Sequence, residues 1–324
     1  MKLSRSWRRL ATIWFGVALL FTIVATLSPT YAQSPGGQIV DRADLLRSQP
    51  TLRQDPYEPI TGPDATHADE SPNDPDLGEQ AILKRQEHYR AFTVSMATPF
   101  FYTSNVALGR NGEEDDVIFG PEIGLSYTPR LARTLYANFS VEQQQFFYSR
   151  FGEFDFGSFD ARAGLTYHLP QLRNLIVRGE YNYNRLTSDG FDEFFSDHAI
   201  FVNAELPFRI GRAQQISVGT SAEFVIDSEP DAPGRHDFEG YIGYSVALTR
   251  ALTVNAVGRL AVRDYRDTDR TDVSEVLALS ATYRFNKWIS ASATSTLAWN
   301  QSDEDVFEYD VANVGGALGF SYRF

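Results

Sequence analysis

Ionised side chains recur at positions of one parity in the alternating segments of this chain, among Gly, Ser, Thr and Asn, with apolar residues on the other parity. Glu122, Glu142, Asp160, Arg162, Arg178, Glu180, Glu205, Glu223, Glu239, Arg259, Arg263 and Arg284 all follow that rule. Alternation of this kind puts the charges on one face of extended strands and the apolar residues on the other. Charges that line water are tolerable where charges in lipid are not. Two roles fit the set. Rings of charge can select solutes in a passage, and Arg–carboxylate pairs such as Asp160 and Arg162 against Arg178 and Glu180 can brace a narrow interior. Barrels of about eight strands are filled by side chains and those of about sixteen are open, so the strand count leaves both roles standing.

Other chemistry is sparse. There is no cysteine, which excludes disulfides, thiolate nucleophiles and Cys-ligated metals. The histidines are His67, His88, His168, His198 and His236. Ser196-Asp197-His198 has the residue types of a hydrolase, but neighbours in a strand point to opposite faces and cannot converge. No Gly-x-Ser-x-Gly, His-Glu-x-x-His or phosphate-cradling loop is present. The chain is predicted not to be an enzyme, and no cofactor is implied. Glu113 to Asp116, Asp264 to Asp272 and Asp303 to Asp305 are acidic stretches that would concentrate cations. The spacing around Asp264 lacks the glycine and terminal glutamate of an EF-hand loop, so no metal site is predicted. A formal charge of −13 also argues against a nucleic-acid partner.

The elements that must hold these residues are strands. Twelve are predicted, near 90–102, 117–127, 134–147, 158–169, 175–186, 198–208, 215–226, 237–248, 252–265, 274–285, 288–300 and 309–324. Short turns at 129–133, 170–174, 210–213, 249–251 and 286–287 alternate with longer, mostly acidic loops at 109–116, 150–157, 187–196, 227–236, 266–272 and 301–308. Short turns on one side and long loops on the other describe a transmembrane β-barrel with both strand termini on the short-turn, periplasmic side. Rings cluster at both strand ends: Phe92, Tyr127, Tyr167, Phe208, Phe285, Trp288 and Tyr322 by the turns, and Tyr102, Phe119, Phe147, Tyr183, Phe224, Phe238, Tyr265 and Trp299 by the loops. Two aromatic bands separated by aliphatics match the two interfaces of a bilayer. A soluble β-sandwich is the rival fold, but the opposite strand faces are too polar for its core.

Residues 1–32 read as a secretory signal peptide: a basic start at Lys2, Arg5, Arg8 and Arg9, an apolar run, and a small-residue site ending at Ala32. An uncleaved anchor is the alternative, because about 18 apolar residues can span a bilayer. Residues 33–89 form a Pro-rich acidic arm with two short helices predicted, 39–48 and 77–88. So few apolar residues offset little ordering entropy. The arm is either a mostly disordered periplasmic segment or partly a plug inside the barrel. The barrel itself is assigned to residues 90–324.

The final strand places Val314, Leu318, Phe320, Tyr322 and Phe324 on one face and stops at the aromatic residue. The Phe320-x-Tyr322-x-Phe324 ending resembles the assembly signal of bacterial outer-membrane β-barrel proteins of the porin-like kind. The resemblance covers the signal segment and residues 90–324. It implies residence in outer-membrane lipids, insertion by the barrel-assembly machinery, and passive passage of small hydrophilic solutes. The stretch from Ser104-Asn105-Val106 to Asp115-Asp116-Val117-Ile118 is similar to porin-like barrels linked to exopolysaccharide export. That implies the alternative of a non-conducting accessory barrel whose arm binds a periplasmic partner.

Overall fold

The computed structural model describes residues 35–47 and 90–324, apart from 111, 112, 189, 190 and 212. The signal segment, the arm beyond Arg47 with its expected helix 77–88, and His67 and His88 lie outside the described residues. Helix α1 (Pro35–Arg47) is followed by β1 (Phe92–Thr103), β2 (Asp116–Phe119), β3 (Glu122–Tyr127), β4 (Arg130–Ala132), β5 (Leu135–Tyr148), β6 (Phe156–Leu169) and β7 (Leu175–Ser188). The second half continues with β8 (Glu193–Arg209), β9 (Gln214–Glu229), β10 (Arg235–Ala247), β11 (Leu252–Tyr265), β12 (Thr271–Arg284), β13 (Ile289–Ser302) and β14 (Tyr309–Arg323).

These segments make twelve staves of a closed antiparallel barrel. Segments β2 and β3 are one stave interrupted at Gly120-Pro121, and β4 is a short addition to β5. Proline has no N–H to donate, so the ladder breaks there; the Pro121 carbonyl still accepts from Gln145 N at 3.0 Å. Each stave pairs with its sequence neighbour, and β1 pairs with β14 from Thr93↔Arg323 to Thr103↔Asn313. Phe92 and Phe324 exchange backbone hydrogen bonds of 3.2 and 2.9 Å at the end of that seam. Closure leaves no edge of unpaired N–H and C=O groups, as hydrocarbon demands.

The turns have local causes. Thr249 Oγ1 accepts from Ala251 N at 3.1 Å and Leu252 N at 3.0 Å. Asn286 Oδ1 accepts from Trp288 N at 2.8 Å and Ile289 N at 3.0 Å. Both are side chains that imitate a backbone turn. Strands β8 and β9 run further toward the loops than the sequence pattern suggests, starting at Glu193 and ending at Glu229.

The outer face is apolar. Ile123, Leu125, Val141, Leu165, Val202, Ile242, Leu277, Leu279 and Leu318 are all exposed on it. A continuous belt of this kind far exceeds the patches that soluble monomers show to water. Aromatic residues flank the belt: Phe92 stacks on Tyr127 and Phe324, while Phe100, Phe119 and Phe147 form a stack near the loops. The terminal Phe320, Tyr322 and Phe324 belong to this outer surface, exposed beside Trp288. Tyr265 is a correction to the expected loop-side band. It shares the inward parity of Arg263, is buried, and hydrogen-bonds to Arg235 at 3.1 Å. Among the described residues no helix is long and apolar enough to cross a membrane, a statement that does not concern strands.

Candidate functional site: the barrel lumen

The inward-facing residues differ with depth. At the short-turn end a cavity of about 270 Å³ is lined by Glu122, Glu142, Arg162, Arg178, Glu180 and Arg284. A second cavity, about 490 Å³, lies beside α1 and meets Asp160, Glu205, Glu223, Glu239, Arg259 and Arg263. Arg162 and Arg178 line both. Each charged position proposed from the alternation lines one or both of these cavities. Arg178 and Glu180 approach at 3.7 Å, and Asp160 and Arg162 at the same distance. Asn138 Nδ2 donates to Glu180 at 3.1 Å and Asn182 Nδ2 to Glu223 at 3.1 Å. Tyr241 donates to Glu205 at 2.9 Å and receives a hydrogen bond from Asn203 at 3.2 Å. Its ring lies across Gly219, where an added Cβ would stand 2.2 Å from the ring. Only glycine leaves room for that crossing.

The loop end is filled. Val40, Ala43 and Leu46 of α1 pack on Phe101, Ile118, Phe146, Phe156, Leu186 and Phe195, all buried. Leu45 packs on Leu108, Ala298, Tyr309 and Val311 on another part of the wall. Phe146 and Phe156 stack with centroids 4.5 Å apart. Part of the arm is thus inside the barrel, which decides between the two expectations for residues 35–47. The sequence carries a signal for this filling. Phe100-Phe101, Phe146-Phe147 and Phe194-Phe195 are adjacent aromatic pairs, so both strand faces are apolar at that level. An apolar inner wall must be covered by apolar atoms.

Polar contacts fix the helix. Asp41, 3% exposed, is bound by Arg235 and lies 3.7 Å from Arg263 and 3.6 Å from Arg270. Tyr265 OH donates to it at 3.3 Å. Burial by itself would push the Asp41 carboxyl up, but the three guanidinium groups outweigh it and hold the group below its ordinary value. Asp44 accepts from Arg235 at 2.5 Å. Arg47 reaches Asp160 at 3.0 Å. Arg42 has its guanidinium over the rings of Phe154 and Tyr148, at 4.3 and 5.8 Å. The barrel adds its own carboxylates: Asp237 accepts from Arg235 at 2.9 Å, and Asp272 accepts from Arg270 Nε at 2.9 Å. Asp41, Asp44, Arg235, Arg270 and Asp237 are absent from the charged set that the alternation picks out. Arg235 falls in the expected loop 227–236, but it opens β10, and Arg235-x-Asp237 already shows that strand's alternation.

The described histidines, His168, His198 and His236, sit in separate surroundings. Asp197 lines the lumen, whereas His198 lies on the outer face against Tyr181 and Tyr183. His168 meets the edge of Tyr136, and His236 accepts from Val225 N at 3.2 Å. Among the described residues no group of metal ligands converges.

No family profile and no curated sequence matches the chain. Solved structures do. An outer-membrane channel from Pseudomonas putida F1 aligns over 72% of this chain and 96% of its own, with a TM-score of 0.52 and 11% identity. The fold is that of a bacterial outer-membrane β-barrel. The translocator domain of the autotransporter NalP from Neisseria meningitidis aligns over 74% of this chain and 90% of its own, with a TM-score of 0.43 and 14% identity. The KdgM porin aligns over 68% and 97%, with a TM-score of 0.36 and 9% identity.

Proposed function

We propose that this barrel is an outer-membrane channel for passive passage of small hydrophilic solutes, with the charges of its inner face setting selectivity. The observation that carries the reading is that the charged positions of the inner face line two cavities, which have Arg162 and Arg178 in common. Interior side chains of both signs offer successive, individually weak stations for a polar solute, as conduction requires. In this reading the short turns and both ends of the strand array face the periplasm, α1 narrows the loop end, and no catalytic step is involved. Outer-membrane lipids surround the belt, and the barrel-assembly machinery inserts the chain through its Phe320, Tyr322 and Phe324 ending. Planar-bilayer recording tests the proposal. The refolded mature chain and its Asp41→Asn variant, in which the helix is held less strongly, should give discrete conductance steps, larger in the variant. Silence of both overturns it.

A second reading is favoured by the filled loop end: a non-conducting accessory barrel, in polysaccharide export or a structural role, whose arm binds a periplasmic partner. Deleting residues 34–76 should then abolish partner pull-down while the barrel keeps its heat-modifiable gel mobility. Unchanged pull-down removes the arm from that role.

A further inference from the structure

Asp41 sits in the lumen as a ligand would. Three buried arginines from separate positions on the wall, Arg235, Arg263 and Arg270, converge on its carboxylate. On the barrel side only Asp237 and Asp272 pair with those three cations among the described residues. Without α1 the cluster has one positive charge more than it can neutralise, and a buried cation in that state is strongly unfavourable. Asp41 also fills the cluster incompletely. Nε and Nη1 of Arg263 are buried without a hydrogen-bond acceptor among the described residues. The larger cavity reaches Arg235, Asp237 and Arg263 but not Arg270, so a solute in the lumen arrives beside the cluster and meets its buried donors as the helix withdraws.

From this we infer that Arg235, Arg263 and Arg270 form a binding site for a solute carboxylate, which α1 occupies through Asp41, so that solute and helix compete for it. The solute class is a small organic monoanion with hydroxyl groups beside the carboxylate. The carboxylate replaces Asp41, and the neighbouring oxygens accept from the Arg263 donors that Asp41 leaves unused. Arginine suits the task because its planar fork presents several N–H groups to one carboxylate. The binding is mutually exclusive, so solute shifts the population toward barrels with the helix withdrawn. The inference rests on the channel reading only for the route by which solute arrives.

The chain lacks cysteine, so one introduced thiol reports on the helix. Leu46→Cys in the full mature chain, refolded in detergent and verified by heat-modifiable mobility, places that thiol at a position only 2% exposed. Gluconate should speed its reaction with a bulky, charged thiol reagent by roughly fivefold or more, the usual scale of coupling between competing ligands. Sorbitol, the neutral six-carbon analogue, should leave the rate unchanged. Adding Arg263→Gln, or Arg270→Gln in case the first disturbs folding, should abolish the gluconate effect. Equal acceleration by sodium chloride at matched ionic strength, or by inorganic phosphate, overturns the carboxylate assignment, as does a rate indifferent to gluconate. Bilayer recording on the same preparation separates the two proposals. A responsive thiol in a silent barrel keeps the site and removes the channel; a conducting barrel with an unresponsive thiol does the reverse.

Discussion

The two ends of the lumen are built from the same strands and the same alternation, yet they are different materials. At the loop end the inward residues are buried: Phe146, Phe156, Leu186 and Asp272 are at most 1% exposed. At the short-turn end Ser95, Glu122, Ser126, Ser140, Arg162, Arg178 and Arg284 remain partly accessible around a cavity. The difference comes from what stands opposite each wall. Small and ionised side chains around a wide interior leave space that water can fill. Facing aromatics attract an apolar cover, and α1 supplies it. A barrel of intermediate strand number can therefore be filled at one depth and polar at another.

Leu46→Asp puts an unpaired carboxylate among Phe101, Phe146 and Phe156, a change that costs about 3–5 kcal/mol when the charge stays buried. The helix should leave the lumen, making the loop end as accessible as the other. A several-fold rise in single-channel conductance checks this, with the barrel still closed by gel mobility. Phe146→Ala removes a fully buried ring from the same cluster and should cost about 3–5 kcal/mol locally, seen as lower thermal stability in detergent. A matched change at the other end, Ser140→Ala, should leave that midpoint nearly unmoved.

Acid should act on the loop end through Asp41. Its carboxyl is held below the ordinary value of 3.8, so the helix is stabilised above that pH. The contribution is lost only as pH falls through the lowered value. Proteolytic accessibility of the helix should stay flat from pH 7 to about 4, the ordinary carboxylate range, and rise below it. A helix released already near pH 6 contradicts the clasp. Smallest is Gly219→Ala. Its Cβ displaces the Tyr241 ring and weakens the hydrogen bond to Glu205, a neutral-to-charged contact worth about 1.5–3 kcal/mol. Reversal potentials in a salt gradient should shift by a few millivolts, on the order of a small change in lumen charge, while α1 stays in place.

Much of this molecule was readable in one dimension. Stave number and the inward parity of the charged set follow from a period of two, because a strand exposes successive side chains to opposite solvents, and the turn-and-loop asymmetry follows from the lengths of the segments between strands. The aromatic pairs at 100–101, 146–147 and 194–195 carry a signal for an apolar interior at one depth that alternation alone does not register. Tyr265 was misread because its type suits the membrane interface while its parity points inward. When the two conflict, parity decides, since the ladder fixes direction before chemistry acts.

The company of Asp41 is set by the folded barrel. Arg235, Arg263 and Arg270 lie about two hundred residues away along the sequence, on segments whose loop ends are brought together by closure of β10 through β12. No local pattern encodes that meeting. It arises because the barrel wall curves the three guanidinium groups toward one point, where α1, itself too short to be stable alone, is held by their field and by the rings around it.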